Sequence, residues 1–205
     1  MKESKNIFSK IKTPEELLEF MSKYINYGYL GQSGRIYHFD DKDFNDKWYN
    51  EYKLESKDDI LKTLHGNCWD QVELERYWFK KNGYEVKTIY EMVRLDYNND
   101  YPTHSFLIFK DKDNNWNWFE NSDFENRGIH KFDSINKLLE YQYNKYVEFL
   151  QTFDITEKEI DNIILTEFDK PANVVSASDY LNFVINSNKI IINKEKNKRG
   201  TKWKI

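Results

Sequence analysis

Gly66-Asn67-Cys68-Trp69-Asp70-Gln71-Val72-Glu73-Leu74-Glu75-Arg76-Tyr77-Trp78-Phe79-Lys80-Lys81-Asn82-Gly83 is the stretch on which the fold turns. His65-Gly66-Asn67 is a break, and the spacing beyond it predicts a helix from Cys68 to Asn82. Gly83 stands just past the end, where a left-handed cap residue belongs. Trp69, Val72, Leu74, Tyr77, Trp78 and Phe79 lie on more than one face, the pattern of a helix buried on more than one side. A cysteine at the first helical position meets the positive end of the helix dipole, which attracts negative charge. Its backbone N–H has no partner inside the helix and is free to donate to an oxyanion.

Cys68 is the only cysteine in 205 residues. One cysteine forms no intrachain disulfide and builds no Cys₂ or Cys₄ zinc site, so the chain reads as a protein of a reducing, cytoplasmic compartment. The thiol is then either a packed apolar residue or a nucleophile. Aromatics are 17% of the chain, ample for a core, while 7 Gly and 3 Pro exclude low-complexity and collagen-like classes. The net charge of −4 gives no support to general nucleic-acid binding. Met1 to Phe8 lacks the apolar region of a secretory signal, and no apolar run approaches the roughly 18 residues of a membrane span.

Outward from the cysteine helix, local signals lay out the rest. Thr13-Pro14-Glu15-Glu16 is a capping box with proline at the first helical position, opening a helix over about 14–24. Residues 27–50 read as short strands and loops around Gly28, Gly31 and Gly34. Ser56 caps a short helix to about Leu64. Strands are predicted over 84–95, 103–109 and 116–121, with the polar run Lys110 to Asn115 as a hairpin loop between the last two. Ser134 caps a helix to about Thr152, and Thr156 with Glu159 opens another. Residues 163–168 read as a strand, 178–185 as a helix and 189–193 as a short strand.

His104 begins an apolar strand and so can face a cleft. If opposed residues in the hairpin sum to 224, Ile108 faces Trp116, Phe106 faces Trp118 and His104 faces Glu120, around a loop at 110–114. Opposed side chains share a face at about 5 Å, within hydrogen-bond reach. Asn121 and Asp123 have the wrong parity and Ser122 has no charge, which makes Glu120 the residue that orients His104.

Gly66-Asn67-Cys68-Trp69-Asp70 at a helix start, Thr103-His104-Ser105-Phe106 at a strand start and Trp116-Asn117-Trp118-Phe119-Glu120 on the next strand resemble the transglutaminase-like branch of the papain-like cysteine enzymes. The resemblance covers about residues 55–132. It departs from the family in having Glu where the acid is usually Asp, and in lacking the usual Asp-Pro after the tryptophan strand. It implies an α+β papain-like fold with a central cysteine helix on an antiparallel sheet, and a Cys68-His104-Glu120 triad working through a thioester without a cofactor. The substrate class would be a protein, a peptide or a small amide, with no membrane partner. Asn67, Trp69, Gln32, Trp118 and Arg127 are candidates for oxyanion donation or cleft lining, and Tyr101 for lining. Two other functions fit the same pattern: an arylamine acetyltransferase-like enzyme using acetyl-CoA, and a non-catalytic binding module.

The chain reads as one domain, residues 1–205, with a core at about 55–152 and elaborations at 1–54 and 153–205. Residues 189–205 carry net +6, leaving −10 on residues 1–188; this basic tail reads either as a solvated end or as the place where an acidic partner or nucleic acid would bind. His38, His65 and His130 show no ligand spacing, and Asp40 to Asp46 lacks the glycine and terminal glutamate of a calcium loop, so no metal site is expected.

Overall fold

A computed structural model describes residues 2–94, 101–171 and 176–191. Most of the basic tail, and the end of the strand expected over 84–95, lie outside them.

The cysteine helix, α5 (Cys68–Lys81), follows four short helices: α1 (Lys2–Phe8), α2 (Pro14–Tyr24), α3 (Phe44–Glu51) and α4 (Lys57–Thr63). Between α2 and α3 lies a two-stranded pair, β1 (Gly28–Leu30) and β2 (Ile36–His38). Thus 27–50 holds a helix that its Asp-, Asn- and Tyr-rich composition concealed, and α1 was likewise not expected. Gly83 has φ +81°, the left-handed conformation a C-terminal cap requires, and α5 gives way to Asn82 just before it.

After α5 the chain runs through β3 (Val86–Val93), β4 (His104–Lys110), β5 (Trp116–Glu120) and β6 (Gly128–Phe132) as an antiparallel meander. The helix α6 (Ile135–Leu150), a 3₁₀ turn and α7 (Glu157–Ile160) return the chain to β7 (Ile163–Phe168) on the free side of β3. Finally α8 (Ala177–Ile185) leads to β8 (Asn188–Ile190). The six strands lie in the order β6-β5-β4-β3-β7-β8, every neighbour antiparallel. The fold is therefore mixed α and β around an antiparallel sheet. Strand β6 was not expected from the sequence.

Period-two alternation divides the sheet between two cores. Tyr90, Leu107, Phe109, Phe119 and Phe168 share a cluster with α5 and with apolar residues of α1, α2 and α4. Ile89, Phe106, Ile108, Trp118 and Leu165 share another with Leu138, Tyr146 and Leu150 of α6. Helix α5 is thus buried on several sides, as its sequence indicates. Two of its buried charged groups are paired: Arg76 holds Glu73 as an ion pair and donates to the Thr88 hydroxyl.

The hairpin register differs from the expected one. Leu107 faces Phe119, Ile108 faces Trp118 and Lys110 faces Trp116, so opposed residues sum to 226 and the loop is 111–115. Asp111 sets this loop: its Oδ1 accepts from the N–H groups of Asp113 at 2.9 Å and Asn115 at 2.8 Å. Asn114 takes a left-handed φ of +63°, which asparagine tolerates. The pairing is offset by two residues from the expected one, so the face assignments survive while the direct His104–Glu120 opposition does not.

Candidate active site

Two local devices place Cys68. Asn67 is the N-cap of α5: its side-chain oxygen accepts from Trp69 N at 2.9 Å and Asp70 N at 3.2 Å, while Asp70 Oδ2 accepts from Asn67 N at 3.1 Å. Asp70, fully buried, also takes the Tyr52 hydroxyl at 2.8 Å and Glu55 N at 2.9 Å on Oδ1. The second device reaches across the core. Asn121 Nδ2 donates to Gln71 Oε1 at 2.7 Å, and Gln71 Nε2 donates to Gly66 O at 2.8 Å. A hydrogen-bond chain therefore joins the residue after Glu120 to the loop before Cys68.

His104 and Glu120 meet at the end of the sheet, with His104 Nε2 2.8 Å from Glu120 Oε2. Continuing the β4–β5 register puts Phe106 opposite Glu120, so His104 lies on the diagonal. Diagonal neighbours stand about 7–8 Å apart, and the additional methylene of glutamate helps to span that gap. Glu120 is buried, and its other oxygen accepts three donors: Ser122 N at 2.7 Å, Ser122 Oγ at 2.9 Å and Asp123 N at 2.8 Å. The carboxyl group is ringed by donors and is placed to act as an acceptor.

The Cys68 thiol is close enough to the same imidazole to act on its protonation. Burial disfavours the imidazolium, but Glu120 and Cys68 together outweigh it and hold the ring's pKa well above the usual histidine value. With Nε2 on Glu120, Nδ1 is the ring nitrogen left for the thiol. Two further buried carboxyl groups belong to this neighbourhood. Glu75, two turns along α5, is pushed well above the usual range by burial and then by Glu120. Glu91, on β3, is pushed up to about 8 by burial, against the opposing pull of His104.

Tyr27, which the sequence reading passed over, completes the site. Burial first, and then the Cys68 thiol and backbone close to its hydroxyl, drive its pKa well up. The backbone pins it there: Asn26 pairs with His65, and Gly66 N donates to Asn26 O at 3.1 Å. The ring packs against Phe39 and Phe124 at 5.7 and 6.3 Å between centroids. No motif in 1–54 marks Tyr27; only the Asn26–His65 pairing brings it to the cysteine.

The other candidates fall elsewhere. Gln32 Nε2 donates to Asn50 O at 3.1 Å and is committed to the end of α3. Trp69 is buried against Tyr180, stacked at 4.2 Å. Trp118 is buried in the α6-side cluster and stacks on His130 at 4.6 Å. Tyr101 donates to Glu159 at 3.2 Å. Arg127 follows the acid, as expected, but its Nε donates to Asn121 O at 3.0 Å and its guanidinium covers the Phe124 ring. Asn67 serves as the helix cap.

Among the described residues no cluster of His, Cys, Asp and Glu is arranged to hold a metal ion, and no helix is long and apolar enough to cross a membrane. No family model matches the chain, and no curated protein matches it.

Proposed function

We propose that the chain is a cysteine enzyme of the papain-like, transglutaminase-like kind, a hydrolase or acyltransferase acting on an amide bond. The observation that carries this reading is one histidine held between two partners: Glu120 at 2.8 Å on Nε2, and the thiol of Cys68 acting on the same ring. A nucleophile at a helix start, a base at a strand start and an acid on the next strand is the order that the resemblance implies. A working free thiol also fits a reducing, cytoplasmic compartment.

In this reading His104 takes the Cys68 proton, and the sulfur attacks the amide carbonyl carbon. A C–S bond forms as the carbonyl π pair moves to oxygen. The oxyanion accepts from the Cys68 N–H at the start of α5 and from the Tyr27 O–H beside it. Tyr27 thus takes the second donor role for which Gln32, Asn67 and Trp69 were candidates. The C–N bond breaks as the imidazolium protonates the leaving nitrogen, leaving a thioester. Water or an amine then attacks the thioester, His104 accepts its proton, and the returning proton restores the thiol as the C–S bond breaks. Glu120 holds the ring orientation and the positive charge throughout.

Iodoacetamide tests the reading. Cys68 is expected to alkylate readily near neutral pH in the folded protein, with no adduct in Cys68→Ala. A folded protein whose Cys68 stays inert would remove it.

A further inference from the structure

His104 stands on β4, between β3 and β5, and each neighbouring strand presents it with a carboxyl group. Glu120 of β5 makes the 2.8 Å hydrogen bond. Glu91 of β3 is the Cα partner of His104 in the β3–β4 register. Glu91 is only 3% exposed, and its Oε2 is buried with no hydrogen-bond partner among the described residues. The two acids therefore have opposite surroundings. Three donors besides the imidazole converge on Glu120, while nothing donates to Glu91 Oε2.

We propose that Glu91 is a positioning residue for His104: a neutral acid beside the ring at neutral pH, and in alkaline solution a second carboxylate that fastens the proton to the imidazole.

The charges around the ring support this assignment. Facing the pair are His104 from β4, Glu120 from β5, Asp123 from the loop after it, and Tyr146 from α6. From α5, Cys68 and Glu75 act on His104 and Glu120. On its other side Glu91 is paired with Leu165 of β7, which is apolar. The imidazolium is the cation that acts on Glu91, whereas Arg76 acts on Glu75 and Arg127 on Glu120. Glu120 already shares the imidazolium and has three further donors, so in a low-dielectric interior the acid with an unpartnered oxygen, Glu91, keeps its proton. Burial raises Glu91 to about 8, and its ionisation there adds a second negative charge facing the ring. His104 then stays charged to higher pH than Glu120 and Cys68 alone would keep it, and becomes a poorer proton donor to a leaving amine.

The inference rests on the proposed function only in naming His104 as the base; the electrostatics stand on the fold. Side-chain NMR of His104 in the full chain, titrated from pH 6 to 10, tests it. In wild type the ring resonances are expected to shift with a midpoint near 8 while the ring stays protonated. In Glu91→Gln that step is expected to vanish, and the ring to lose its proton at least one pH unit lower, a tenfold change in its acid constant. An unchanged midpoint in the folded variant would overturn the inference. If the variant does not fold, the wild-type Glu91 carboxyl carbon decides: a midpoint near 8 supports the inference, and one in the ordinary carboxylate range of about 4–5 overturns it. If His104 and Glu91 titrate as expected while Cys68 is inert to iodoacetamide, the catalytic reading fails and this inference stands.

Discussion

At the scale of single residues, the site depends on groups that never touch a substrate. Asp70 is the clearest. Its two carboxyl oxygens accept from Asn67 N, Tyr52 Oη and Glu55 N, tying the start of α5 to the segment before α4. Burial drives the Asp70 carboxyl upward, and burial followed by the Asp70 charge does the same to Glu55. Asp70→Ala strands three buried donors, and the expected cost is about 3 kcal/mol by urea unfolding. Slower Cys68 alkylation should accompany it in the fraction that remains folded. A loss under about 1 kcal/mol would show that the cap and its partners relax independently. His104 and Glu120 were legible in the sequence because parity alone puts them on one face. Tyr27 and Glu91 were not: one depends on a chance of tertiary pairing, and the other looked like any glutamate in a strand.

At the scale of elements, caps and alternation carried the reading and loop geometry limited it. Thr13, Ser56, Asn67, Ser134, Thr156 and Ser176 all cap helices through side-chain acceptors, and five of the six had been read as a cap, a break or a helix start. The β4–β5 register slipped because apolar pairing constrains parity, whereas the offset depends on how Asp111 and Asn114 close the loop. Helix α3 and strand β6 escaped notice because tertiary packing outweighs their weak intrinsic propensities. The β1–β2 pair offers a sharp test. A Cβ at Gly28 would lie 2.6 Å from Tyr37 O, a backbone atom of the facing strand, and 3.3 Å from the His65 ring. Gly28→Ala should force the strands apart at an expected cost of about 2 kcal/mol and displace the adjacent Tyr27. Gly83→Ala should cost about 1 kcal/mol from its left-handed backbone alone, because open space surrounds its Cβ position. Equal losses, with Cys68 reactivity unaffected in both, would show that the close approach at Gly28 does not help to hold Tyr27 beside Cys68.

At the scale of the whole molecule, buried acids set the response to pH. Glu91 is raised to about 8, and Glu55, Asp70 and Glu75 are raised by burial from ordinary values near 4. His104 is raised as well. A raised group takes up protons on folding, so its contribution is full below the unfolded pKa and is lost as pH rises through the folded one. All five act in the same direction between about pH 4.5 and 8. Asp58 and Asp111, lowered to about 2, oppose them only in stronger acid. The urea midpoint should therefore be higher at pH 5.5 than at pH 8.5. A midpoint that rises toward pH 8.5 would mean that the buried acids are ionised in the folded state.

The central claim is that Cys68 and His104 work as a unit, and the rate of Cys68 alkylation by iodoacetamide across pH 5.5 to 9 tests it most directly. In wild type the rate at pH 6 should be within severalfold of the rate at pH 8.5. In His104→Ala it should fall at least tenfold at pH 6 and recover only in alkaline solution, where an ordinary thiol ionises. Superimposable profiles for the two folded proteins would contradict the account.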